Sequence, residues 1–149
     1  MSFLDNALNQ RPSCELSCVA GSTAQTLTTS WANLNLWTSI DTLSLVTFTA
    51  STLTGQMLVQ TGGLYQLACD VHATISAPVT SVSFAFADNG VYLPSSVRAV
   101  LPANSGTVVD KTFSWLVYCL PGDVLTVQVT ASAGTNLTLV SGGFLAVHL

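Results

Sequence analysis

The ionisable side chains of this 149-residue sequence are few: seven acids, two histidines, three cations, four cysteines and three tyrosines. The pair best spaced for chemistry is Asp70 and His72, inside "TGGLYQLACDVHATI". Apolar residues recur there at Tyr65, Leu67, Cys69, Val71, Ala73 and Ile75, so the stretch predicts a strand and places Asp70 and His72 on one face of it. A carboxylate beside an imidazole can orient a general base. Acyl transfer would also need an activated nucleophile, and no G-x-S-x-G elbow is present. The second histidine, His148, lies one residue from the end of the sequence. For both, packing or subunit contact is the weightier reading.

Other chemistries find less support. Asp5, Glu15, Asp41, Asp70, Asp88, Asp110 and Asp123 are scattered, with no D-x-D-x-D run for calcium and no pair that sequence alone assigns to a glycosidase site. Asp88 and Asp123 border turns, where carboxylates cap backbone amides. No phosphate loop or dinucleotide fingerprint occurs, so no cofactor is expected. Cys14, Cys18, Cys69 and Cys119 follow neither zinc nor redox spacing and read as free thiols packed like small hydrophobes, although Cys14 and Cys18 are near enough for a local bridge. Trp31, Trp37 and Trp115, with Tyr92 and Tyr118, are candidates for a sugar-binding platform, against the plainer reading of core or interface packing.

The composition narrows the partners. With 7% of residues charged and 49% hydrophobic, the chain has too few charges to coat a monomer, which predicts that other subunits cover part of its surface. Arg11, Arg98 and Lys111 against seven acids give a formal net charge of −4, which excludes a phosphate-binding cluster of cations and makes nucleic acid a poor partner. Every apolar run is interrupted well before it could span a bilayer, and "MSFLDNALNQRPSCELSC" does not read as a secretory signal.

The elements that must position these residues are strands. Short runs rich in Val, Thr, Leu, Phe and Tyr, each stopped by Gly, Pro, Asn or Asp, predict strands at 34–38, 43–49, 56–60, 64–75, 79–87, 91–93, 97–101, 107–118, 124–131 and 136–149. Asn89-Gly90 is the clearest hairpin signal, because a type I′ turn needs two positive φ values. The final run, "GGFLAVHL", is apolar on both faces through Phe144, Leu145, Ala146, Val147 and Leu149, so its outer face needs a cover. Residues 1–28 read as an N-terminal arm and 29–149 as one all-β, two-sheet jelly-roll domain.

The ordered set "LTGQMLVQTGGLYQL", "SVSFAFADNGVYL", "TFSWLVYCLPGDVLTVQV" and "TNLTLVSGGFLAVHL" resembles the jelly-roll superfamily of tumour necrosis factor and the complement globular head, over roughly residues 37–149. Gly63, Leu64 and Tyr65 match its G-x-Y strand, Asn89 and Gly90 its hairpin, and Gly122 and Asp123 its turn. Phe144 matches the terminal strand, with Ala146 where that pattern has Gly. The resemblance implies a ten-strand sandwich that assembles as a homotrimer, with Gln66, Ala68, Asp70, His72, Leu145, Val147 and Leu149 facing neighbouring subunits. Repeated around a three-fold axis, Asp70 and His72 could form a polar ring or even bind an ion, but the weightier reading has no metal site.

The family is also common among bacteriophage virion proteins, whose low-charge, Thr/Ser/Val-rich character this chain shares. The expectation is a non-enzymatic trimeric cement or decoration protein on a capsid surface, made in the host cytoplasm. Its partner would be the major capsid protein, and Phe3, Leu4, Leu8 and Leu16 of the arm would provide attachment. The alternative is the receptor-binding tip of a phage tail or head fibre, recognising a host surface glycan or protein.

Overall fold

Alternation of apolar and polar residues produces the sandwich directly. The computed structural model describes residues 11–43, 47–103 and 107–149. One sheet contains β1 (Ser13–Cys18), β2 (Ala24–Leu27), β4 (Ser39–Thr42), β7 (Gly63–Ile75), β11 (Val108–Cys119) and β13 (Thr135–His148). Its order is β11-β7-β13-β1-β4, with β2 also paired to β13. The other contains β3 (Ala32–Asn33), β5 (Phe48–Ser51), β6 (Gln56–Val59), β8 (Val82–Asp88), β9 (Val91–Tyr92), β10 (Arg98–Val100) and β12 (Val124–Ala131). Its order is β10-β8-β12-β6-β5, with β3 on β12 and β9 on β8. All pairings are antiparallel. No helix among the described residues is long and apolar enough to cross a membrane.

Both sheets turn their apolar residues toward a shared core. On β7 the buried set is Tyr65, Leu67, Cys69, Val71, Ala73 and Ile75, the alternation expected from sequence. Opposite stand Phe84 and Phe86 of β8 with Leu125, Val127 and Val129 of β12. Phe86 is the hub of the aromatic packing, with its ring centroid 4.6 Å from Phe113 and 5.9 Å from Phe144.

A bulge in β13 decides which residues of the last strand face outward. Leu139 pairs with Ala73 but Ser141 pairs with His72, leaving Val140 as an extra residue. Inward residues are therefore odd-numbered before the bulge (Leu137, Leu139) and even-numbered after it (Phe144, Ala146). Leu145, Val147 and Leu149 consequently lie on the outer face, so the strand does carry apolar residues on both sides.

The turns follow their residue types. Asn89 at φ 52° and Gly90 at φ 81° close the two-residue β8–β9 hairpin as a type I′ turn requires. In the β11–β12 connection, Asp123 Oδ2 accepts the Leu120 N–H at 2.8 Å and Oδ1 accepts from Asn89 Nδ2 at 2.9 Å, fastening both turns together.

The expected boundary at residue 28 is corrected by β1 and β2. β1 lies between β13 and β4, pairing Leu16 with Phe144 on one side and Ile40 on the other. Leu16 is 0% exposed, so burial withdraws it from any attachment role. Phe3, Leu4 and Leu8 lie outside the described residues. The strand expected at 34–38 is instead an irregular segment with Leu34, Leu36 and Trp37 buried, while Ser39–Thr42 pairs with β1.

Candidate functional site

The outer face of the β11-β7-β13-β1-β4 sheet gathers the residues the sequence singled out. Antiparallel register aligns Leu116, Gln66, Val147 and Ser13 in one row, and Ser114, Ala68, Leu145 and Glu15 in the next. Thr112, Asp70, Gly143 and Ser17 form a third row, and Asp110, His72 and Ser141 a fourth. The predicted set Gln66, Ala68, Asp70, His72, Leu145, Val147 and Leu149 is thus brought onto one surface.

That surface is graded. At one end Leu64 pairs with Tyr118, and the Leu149 N–H reaches Leu64 O at 2.9 Å. Exposure of Leu116 (55%), Tyr118 (68%), Leu64 (42%) and Leu149 (43%) makes a contiguous apolar patch, continued by the half-buried Val147 and Leu145. A sheet displaying such a patch is short of a partner surface. At the other end Thr112 Oγ1 donates to Asp70 Oδ1 at 2.9 Å, and His72 Nδ1 is hydrogen-bonded to Asp110 Oδ1.

Two concavities shape the face. One of about 620 Å³ at the apolar end is lined by Gln66, Ser114, Trp115, Leu116 and Leu149. The other, of about 570 Å³, lies over Gly142 and Gly143 with Glu15, Asp70, Thr112 and Leu145 among its walls. Gly143 has no side chain to fill the second one, whereas Gly142 permits close strand approach, since a Cβ there would come 2.4 Å from Asp70 O.

The fourth row sets a serine, a histidine and an aspartate side by side, and neither Ser141 nor Asp110 could be matched to His72 without knowing the register. Asp110 orients the imidazole as the acid of a hydrolytic triad does. A triad also needs oxyanion donors, and the backbone N–H groups of a sheet interior are committed to the ladder. The row is better suited to hydrogen-bonding an apposed surface.

His148 has a packing environment. Its ring stacks on Tyr65 with centroids 4.8 Å apart, and a Cβ on Gly63 would come within 2.5 Å of His148 Nε2. Tyr65 OH donates to Thr61 O at 2.5 Å, and burial pushes its phenol up to about 12. The four cysteines are free and buried. Burial raises the Cys14 and Cys69 thiols above their ordinary range and pushes Cys119 up to about 12. Thiols held protonated in this way are poor nucleophiles and poor ligands.

The aromatic candidates separate into different environments. Trp37 is 3% exposed in the core, and Tyr118 belongs to the apolar patch. Trp115 lies 5.9 Å from the Arg98 guanidinium, and Trp31 stacks on Tyr92. Asp88 departs from its expected capping role. Its Oδ1 is buried without a partner, and burial followed by the neighbouring Asp123 charge raises its carboxyl above the usual carboxylate range.

Comparison with known proteins rests on shape. No protein-family model matches the chain, and no curated protein matches its sequence. Among solved structures, the globular domain of zebrafish complement 1qA protein superposes with a TM-score of 0.61 at 15% identity, covering 94% of this chain and 98% of that one. Murine APRIL gives 0.57 at 16% identity, covering 94% and 100%. The Eiger TNF from S. frugiperda gives 0.53 at 16% identity, covering 94% of each. The chain therefore has the jelly-roll fold shared by the TNF-like and complement globular domains.

Proposed function

We propose that the protein is a non-enzymatic homotrimer of virion surfaces, a cement or decoration protein that binds the head of a bacteriophage and stabilises it. The observation that carries the self-association is the apolar patch of Leu64, Leu116, Tyr118, Val147 and Leu149 on an otherwise low-charge chain. Closing a ring of three through this face buries the patch. The solved structures of like shape belong to the TNF and complement classes, which agrees with a binding rather than a catalytic role. The virion assignment is supported by composition, and attachment falls to Phe3, Leu4 and Leu8 ahead of β1.

The receptor-binding fibre tip is the second reading. Burial of Leu16 favours it, because the attachment segment keeps fewer apolar anchors than the sequence suggested. Mixing the full chain with undecorated capsids and with host cells separates the two. Cement predicts capsid binding and heat resistance, both lost when Phe3, Leu4 and Leu8 are changed to Ser in a chain that still forms trimers. Binding to cells, indifferent to those changes, moves the assignment to a tip. An esterase and glycosidase screen should be blank, and turnover lost in His72→Ala would overturn the non-enzymatic reading.

A further inference from the structure

The opposite sheet carries a surface feature that the proposed trimer contact does not use. Trp31, just before β3, and Tyr92, at the end of β9, stack with centroids 4.8 Å apart and planes 24° from parallel. Both are half-buried. Their segments are fastened by one buried amide. Gln128, 5% exposed on β12, donates from Nε2 to Asn33 Oδ1 at 3.3 Å and to Gly90 O at 3.0 Å. Gln25 Nε2 donates to Asn33 O at 2.7 Å, and Gln25 Oε1 accepts the Asn35 N–H at 3.0 Å. On the β9 side, the Leu93 N–H reaches Phe86 O at 2.8 Å. The rings are therefore held in place before any ligand arrives.

We infer that this pair, with the half-buried Asn33 and Gln25 beside it, is a binding site for a neutral carbohydrate. A pyranose offers a face of C–H groups bordered by hydroxyls. It is matched by a flat aromatic surface flanked by neutral side chains that both donate and accept. The site supplies both kinds of group, and the cations are placed elsewhere: the Arg98 guanidinium donates to Ser95 O at 3.1 Å and Val97 O at 2.8 Å and lies over the Trp115 ring, Lys111 stands on β11 of the other sheet, and Arg11 precedes β1. Acidic sugars and nucleic acid phosphates therefore find no counter-charge. A proline-rich peptide needs a slot between aromatic ridges, and two rings stacked on each other leave none. Fixing the rings in advance lowers the ordering cost of binding, which weak sugar sites need. The assignment is independent of whether the trimer is mounted on a capsid or a fibre.

The test applies the full chain to an array of immobilised neutral and acidic oligosaccharides, followed by titration with the free form of any sugar retained. Neutral sugars should be bound, with dense display gaining about 10²–10⁴-fold over the free sugar if three sites act together. The Trp31 indole N–H resonance should shift on titration. Trp31→Ala should weaken binding at least about tenfold, in line with the loss of an aromatic stacking partner, and Trp31→Phe should keep most of it. If Trp31→Ala fails to fold, the indole shift in the unaltered chain decides. A blank array, binding confined to acidic sugars, a shift at Trp115 with none at Trp31, or full binding by folded Trp31→Ala overturns the assignment.

Discussion

The carboxylate of Glu15 on β1 lies across Gly143 on β13, so close that a Cβ on Gly143 would come 2.6 Å from Glu15 Oε1. Gly143→Val should displace the end of this flexible side chain at little cost to the fold while roofing the 570 Å³ concavity. The expected result is a melting temperature within a few degrees of the parent and a trimer that dissociates at higher protein concentration, read by sedimentation. An unchanged trimer would show that the concavity lies outside the contact.

At the apolar end, Val147→Asp places a carboxylate on the outer face in the row of Gln66 and Leu116. In a trimer closed through this face each copy would bury an unpaired charge, at a cost on the order of several kcal/mol. Mass photometry should move from about three times 15.5 kDa to a single chain. A parent chain that is already a stable dilute monomer would end the trimeric reading.

Leu16→Ala distinguishes a core residue from an attachment residue. With the side chain at 0% exposure, the substitution should cost about 2–5 kcal/mol in denaturant unfolding. Loss of capsid binding with full stability would contradict its place between β13 and β4.

Gly63 combines a φ of 146° with the nearby His148 ring. Gly63→Ala should destabilise by about 1–3 kcal/mol through backbone strain, and more through the clash with the imidazole. Adding His148→Ala should recover the clash but not the strain, giving a non-additive double-mutant cycle. Strict additivity would show that the ring moves aside freely.

Asp88 predicts a pH dependence of defined sign. Its carboxyl is raised by burial, by the Asp123 charge and by a hydrogen bond to Asp123, so the folded state binds a proton more tightly than the unfolded chain. Its contribution to stability is therefore fully present below the ordinary Asp value of about 3.9 and is lost as pH rises through the raised folded value. Asp88→Asn, which keeps a donor toward Asp123 without the charge, should flatten this part of the profile and raise the melting temperature at neutral pH. A steeper profile in the variant would refute the assignment.

Much of the fold was legible because strand alternation is a local property. "LYQLACDVHATI" shows which side chains are buried without reference to any partner, and Asn89-Gly90 carries its turn geometry in its own residue types. β1 was legible in principle, since Cys14, Leu16 and Cys18 alternate with Ser13, Glu15 and Ser17. Its pattern was obscured because cysteine and serine are weak strand signals, and only pairing with β13 and β4 buries it.

The candidate site divides in the same way. Sequence alone determined that Gln66, Ala68, Asp70 and His72 share a face, because the period of a strand is two. Tertiary structure decided what stands beside them. Register set Asp110 and Ser141 against His72, the Val140 bulge turned Leu145 and Val147 outward, and Gln128 drew Trp31 and Tyr92 together from distant segments. Alternation along a strand follows from the geometry of each peptide unit. Alignment between strands depends on which distant backbone groups share hydrogen bonds, and that is settled only when the two sheets close over one core.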